Sequence, residues 1–276
     1  VLFRSEVEPP LITAIRYECD LDDILALKPK LNIDPKDSKL GWHISPLMWA
    51  ALMGQEETMQ KLLEHGAKID YQESETGYTA LMYAAQLDQP KSVRFLLENG
   101  ANYNLEGKDG SLALMLAMQE NNEEIVDMLM EKGAKMNLKL LDPAGYDFLT
   151  VLSDRASPKI VQIAIKMGAN VNEQNAANKR TALIIAAMSD KMEVMKLLLE
   201  NGADPNIVDN NLYSPLMVAS IRNNYNIVKL LVEHGAKVEL KNIDGMTALD
   251  IAQNQEEKDK NEDNKKIIEL LSKSKK

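Results

Sequence analysis

The stretch Leu96–Asn104, "LLENGANYN", decides the architecture of this 276-residue chain. A leucine pair, a Gly-Ala and a polar tail return in altered form as "LLEHGAKID" (62–70), "LMEKGAKMN" (129–137), "AIKMGANVN" (164–172), "LLENGADPN" (198–206) and "LVEHGAKVE" (231–239). The glycine falls at Gly66, Gly100, Gly133, Gly168, Gly202 and Gly235, in steps of 33 to 35 residues. Exactly 19 residues before each stands a leucine: Leu47, Leu81, Leu114, Leu149, Leu183 and Leu216. Two landmarks that hold their separation through six units mark an internal repeat, and periods of this length belong to stacked arrays.

Each unit reads as two helices and a turn. "SPLMWAAL", "TALMYAAQ", "TALIIAAM" and "SPLMVASI" open with a Ser or Thr two residues before the anchor leucine, where a hydroxyl caps a helix. Pro46 and Pro215 take the first helical position, which has no use for an amide donor. The second helix carries spaced apolar residues, as in "EVMKLLLE", and Pro90 and Pro158 mark its start. The recurring glycine then supplies the left-handed conformation that ends a helix at little steric cost.

These residues resemble the ankyrin repeat. The resemblance runs from about Pro10 to Leu271 and rests on units such as "TALIIAAMSDKMEVMKLLLENGADPN". It implies an all-α solenoid of about eight helix-turn-helix units with connecting β-hairpin-like loops. A tetratricopeptide array has a similar period but lacks the Gly-Ala helix stop. Departures are clear. The family's histidine is replaced by Met48, Met82, Met115, Thr150, Ile184, Met217 and Asp250. The loop glycine kept as Gly77, Gly110, Gly145 and Gly245 becomes His43, Lys179 and Leu212 elsewhere, and these loops are expected to be less regular. The unit near Tyr146 has Leu152 and Ser153 in place of Ala-Ala, which puts its close helix packing in question.

Domain organisation follows the repeat. Residues 1–5, "VLFRS", read as a non-native leader, since a translated adapter tail would encode them, so the native N-terminus is expected to be missing. Residues 6–276 read as one array, with capping units at about 9–40 and 243–276 and interior units at about 41–242. The last unit spaces Ile267 18 residues after Leu249, where its neighbour spaces Ile227 11 after Leu216, so a charged helix extension or loop is inserted. Polar end units keep such an array in solution.

Composition excludes several classes. A net charge of −10 opposes general affinity for nucleic acid or acidic lipid. No apolar run reaches the roughly 20 residues of a membrane span. The single cysteine, Cys19, rules out an intramolecular disulfide and a cysteine-built zinc site, and is compatible with a soluble cytoplasmic protein. His65 and His234 precede helix-ending glycines, where a partly cationic ring suits the dipole better than a metal would. No catalytic, Walker or dinucleotide motif occurs, so no cofactor and no enzymatic activity are expected.

The resemblance implies that partners meet the loop tips and first helices along a concave face. The third residue before each anchor leucine projects there, and it places Ile44, Tyr78, Tyr146, Arg180 and Tyr213 in register. Trp42, Leu87, Met188, Ile221 and Arg222 lie nearby. Tyrosine, tryptophan and arginine are the residue types that dominate interface energetics. Trp49, Tyr83, Leu116, Val151, Ile185, Val218 and Ile251, two residues after their anchors, read as core. The expected function is a monomeric protein-protein interaction module for an unidentified protein partner. The alternative is the accessory recognition part of a larger enzyme or effector.

Overall fold

Ser45 shows how each unit begins: its extended backbone and its Oγ, which accepts the Met48 N–H at 3.3 Å, start the first helix. Thr79, Thr181 and Ser214 do the same, Asp147 substitutes a carboxylate, and Leu112 leaves its helix without a side-chain cap. The computed structural model describes residues 10–17, 21–26, 44–138, 140, 145–256 and 262–274. Their helices pair in chain order. These are α1 (Pro10–Arg16) with α2 (Asp22–Ala26), α3 (Pro46–Leu52) with α4 (Glu56–Glu64), α5 (Ala80–Gln86) with α6 (Pro90–Glu98), and α7 (Ala113–Gln119) with α8 (Glu123–Glu131). There follow α9 (Phe148–Arg155) with α10 (Pro158–Lys166), α11 (Ala182–Met188) with α12 (Met192–Glu200), α13 (Pro215–Ile221) with α14 (Tyr225–Glu233), and α15 (Ala248–Glu256) with α16 (Glu262–Lys273).

Packing sorts the chain into two compact units, Val1–Asn137 and Leu138–Lys276. In the first, α1, α3, α5 and α7 stack in succession, each backed by its second helix. In the second, α9, α11, α13 and α15 stack likewise. Among the described residues there is no strand. Successive loops are tied by single backbone bonds instead, Lys108 N–H to the Thr76 carbonyl (2.7 Å) and Asn210 N–H to the Asn178 carbonyl (2.9 Å).

"LLENGANYN" is a helix end that also grips its neighbours. Leu96 and Leu97 are buried, and the Asn99 side chain donates to the Phe95 carbonyl at 2.9 Å. Gly100 takes φ +85°, so the Ala101 N–H turns back to the Leu96 carbonyl at 2.9 Å and satisfies a carbonyl the helix would leave open. A Cβ at Gly100 would meet nothing within 4 Å; the constraint is the backbone alone. The final Asn104 accepts the Lys135 N–H of the next repeat at 2.9 Å. The same bond links Asp70 to Asn102, Asn172 to Asp204 and Asn206 to Lys237. At the helix end itself, His65 and His234 act as Asn99 does, each Nδ1 lying 2.8 Å from the carbonyl four residues back.

The core is built from the anchor leucines and the residues next to them. Met48, Met82, Met115, Thr150, Ile184 and Met217 are buried at the former histidine position. Methionine does more there than fill space: the Met48 sulfur accepts the Ser45 N–H at 3.3 Å, completing a reciprocal cap. Asp250 plays that part in the last unit, accepting both the N–H and the hydroxyl of Thr247.

Three expectations change. Of the residues read as core two positions after the anchors, Leu116, Ile185 and Ile251 are buried, but Trp49, Tyr83, Val151 and Val218 are only half-buried, because that position edges the first-helix surface. The loops without glycine stay regular at Lys179 and Leu212, which adopt φ of 60° and 59° beside 74° at Gly77, so the fold imposes the conformation on a side chain that resists it; His43 lies outside the described residues. In the unit without Ala-Ala, Ser153 is fully buried and its hydroxyl donates to the Leu149 carbonyl at 2.8 Å, so the packing closes without an orphaned polar group. What differs is the turn. Gly54, Asp88, Asn121, Asp190 and Asn223 are all left-handed seven residues after their anchors, whereas Ala156 is extended and buried, and α9 runs one residue longer than its counterparts. In the last unit α15 is also extended, to nine residues, and Asn264 on α16 donates back to the Ala252 carbonyl at 2.8 Å.

Candidate functional site

In the second unit the repeat brings equivalent positions of two stacked helices side by side. Met188 and Ile221 each lie five residues after their anchors, at the last turns of α11 and α13. Arg180 and Tyr213 each lie three before, on the adjoining loops. Together with Val218, Asp209, Asn211 and Arg222 they enclose a groove of about 250 Å³. Its floor is apolar, and Ile221 and Met188 remain 42% and 36% exposed, too open for ordinary core residues.

The walls are polar and held in place. Arg180 Nε lies 3.3 Å from Asp209 Oδ2, and Asp209 Oδ1 accepts the N–H groups of Asn211 and Tyr213, both at 2.9 Å. Arg222 sends Nε and Nη2 to Asp190 Oδ2 at 3.1 and 2.7 Å. Asp190 is itself fixed by Asn224 Nδ2 at 3.1 Å. The guanidinium groups are thus positioned in advance, with little freedom left to lose when a ligand arrives.

Five of the ten residues expected at a binding face, Arg180, Met188, Tyr213, Ile221 and Arg222, line this groove. Tyr146 is half-buried in the same unit, where its hydroxyl accepts from Asn178 Nδ2 at 3.0 Å. In the first unit, Ile44 is half-buried and Leu87 is 49% exposed on the surface. Tyr78 is turned inward: it is 8% exposed, its ring covers Gly107, and its hydroxyl donates to Asp109 Oδ2 at 2.8 Å. Trp42 lies outside the described residues. Sequence reasoning missed Asp209, Asn211 and Val218. Val218 shares its repeat position with the half-buried Trp49 and Tyr83, and that shared register was the available signal.

The groove holds no acid-base or nucleophilic arrangement. Its one carboxylate, on Asp209, faces a guanidinium and two backbone amides. Among the described residues no cluster of three or more His, Cys, Asp or Glu is placed to hold a metal, and no helix is long and apolar enough to cross a membrane. What the groove offers is an apolar floor with directional hydrogen-bond donors at its edge, which is the chemistry of side-chain recognition.

The comparisons with known proteins agree with this architecture. A family model of ankyrin repeats in three copies matches residues 11–107, 47–140 and 149–242. The structure is similar to the human ASB11 ankyrin repeat domain, at 24% identity and a TM-score of 0.65, over 82% of this chain and 97% of that one. It is also similar to the ankyrin repeat domain of Bcl-3, a member of the IkappaB protein family, at 24% identity and a TM-score of 0.64, over 83% and 98%. The comparison with curated proteins gave no match. With helix caps, left-handed glycines and family model all in one register, the chain belongs to the ankyrin repeat family.

Proposed function

We propose that the chain is a non-enzymatic recognition module, acting as a monomer, that seats an apolar side chain of a protein partner in the groove of the second unit. Ankyrin repeats generally serve as protein-protein interaction modules, and the finer reading rests on one observation: an apolar cavity of about 250 Å³ edged by two pre-positioned arginines. That volume accommodates one large side chain. Tyr213, Met188, Val218 and Ile221 would surround it, while Arg180 and Arg222 would donate to its backbone or flanking groups. Tyr146, in the same unit, would extend the contact along the loop surface.

The test is affinity capture from a lysate of the source organism with the native chain and with Ile221→Asp, thermal melting being followed in parallel. Ile221 is substantially exposed, so the charge should leave melting nearly unchanged. A captured protein that is lost on Ile221→Asp at unchanged melting supports the reading. Undiminished capture would overturn it.

A further inference from the structure

We infer that the first-helix surface of the N-terminal unit is a second docking site, fitted to an arginine-bearing apolar peptide segment of a partner protein; the inference rests on the chain being a recognition module but uses none of the groove residues. Met53 and Leu87 occupy the same position after α3 and α5, and are 48% and 49% exposed. Trp49 and Tyr83 stand half-buried one turn earlier in the same two stacked helices. Isolated exposed apolar side chains are ordinary, but two in register beside two aromatic rings form a strip of the kind that binds.

Charge selects the occupant. Residues 1–137 carry 13 Lys and Arg against 23 Asp and Glu, whereas residues 138–276 carry 19 of each, so the whole net charge of −10 belongs to the first unit. The helices α3, α5 and α7 contain no charged residue at all. The charges that border them at the helix ends, Asp88 and Glu120, are both negative. On the loop between α6 and α7, Lys108 is turned away to donate its ammonium to the Ser74 carbonyl. The anions at the strip's α5 and α7 edge disfavour an acidic segment there and attract a basic one, while Arg16 already occupies the Trp49 edge.

The unit itself contains an example of the interaction. Arg16 of α1 places its guanidinium carbon 5.4 Å from the centre of the Trp49 ring. One repeat further on, Tyr83 occupies the equivalent position, with the Tyr78 ring against it at 5.6 Å edge-on. An arginine from the partner would use Tyr83 as Arg16 uses Trp49, while its neighbouring apolar residues cover Met53 and Leu87.

The experiment titrates the full chain with a fluorescein-labelled peptide of alternating Leu and Arg, and with the matching Leu-Glu peptide, at low and high salt. The expected result is binding of the Leu-Arg peptide alone. It should weaken about tenfold in Met53→Ser/Leu87→Ser, and about threefold or more in both Tyr83→Leu and Glu120→Lys. Ile221→Ser, in the other unit, and Glu64→Lys, on α4, should leave it unchanged. Equal weakening by Glu64→Lys and Glu120→Lys would show adhesion to net charge and overturn the inference. So would no binding of the Leu-Arg peptide, native-like binding to Met53→Ser/Leu87→Ser, or preference for the Leu-Glu peptide. Loss on Ile221→Ser alone would place the peptide in the groove, sinking this inference while leaving the groove reading intact.

Discussion

The hydroxyl of Tyr78 donates to the carboxylate of Asp109 at 2.8 Å, joining two successive loops through a ring that lies over Gly107. A Cβ at Gly107 would come within 2.7 Å of that ring, so the close approach of loop and tyrosine requires glycine there. Burial above all pushes the Tyr78 hydroxyl up to about 12; a hydrogen bond with Ser111 opposes the shift, and Asp109 reinforces it. The folded state therefore holds the proton more tightly than the unfolded chain does. The resulting stability is complete below pH 10 and is lost as pH rises toward 12.

Tyr78→Phe should destabilise the chain by about 1 kcal/mol, measured by urea unfolding at neutral pH, and should reduce the alkaline loss of stability. Partner capture should be unaffected, since the ring is turned inward. Reduced capture with unchanged unfolding would contradict this placement.

Glu73 gives the acid counterpart. Its carboxylate is buried and accepts the N–H groups of Glu75 and Thr76, each at 2.6 Å, and the Thr76 hydroxyl. Burial by itself would raise the carboxyl, but these bonds outweigh it and hold it below the ordinary value of 4.5. With the folded value depressed, the stabilisation is present above the unfolded value and disappears as pH falls through the folded one. Glu73→Gln should flatten the acid limb of a plot of urea midpoint against pH. An unchanged limb would assign acid sensitivity elsewhere.

Leu212 is strained and 44% exposed, with φ 59° where other loops have glycine. Leu212→Gly relieves a left-handed penalty of roughly 1–2 kcal/mol and adds back part of it as unfolded-chain entropy. A net stabilisation of about 0.5–1 kcal/mol is expected, seen as a higher melting temperature. A lower one would mean that the leucine makes contacts worth more than its strain.

Asn172 bridges two repeats, accepting the Asp204 N–H at 2.7 Å and donating to the Gly202 carbonyl at 3.0 Å. Asn172→Ala should cost about 1–2 kcal/mol, from two lost bonds. Leu198→Ala, in the fully buried core of the same unit, should cost about 2–5 kcal/mol. Similar losses from both would show that the polar ladder carries as much of the repeat coupling as the core does.

The sequence by itself determined the period, the helix pairs and where most of the helices start and stop. Those features rest on local chemistry: Thr79 caps a backbone three residues away, and Gly100 turns a chain that closes on Leu96. A residue type at a fixed spacing is enough to specify them. Tertiary structure decided which members of each register face outward. Tyr78 and Tyr213 share one repeat position, yet only Tyr78 is turned inward: its ring lies over Gly107 on the next loop, about 30 residues along the chain, where the loop after Tyr213 carries Asn242. Val218 and Ile185 share another, yet only Val218 is left half-buried at a groove. Local spacing sets direction relative to a helix, whereas exposure depends on what the neighbouring repeat presents, and that depends on side chains a full period away.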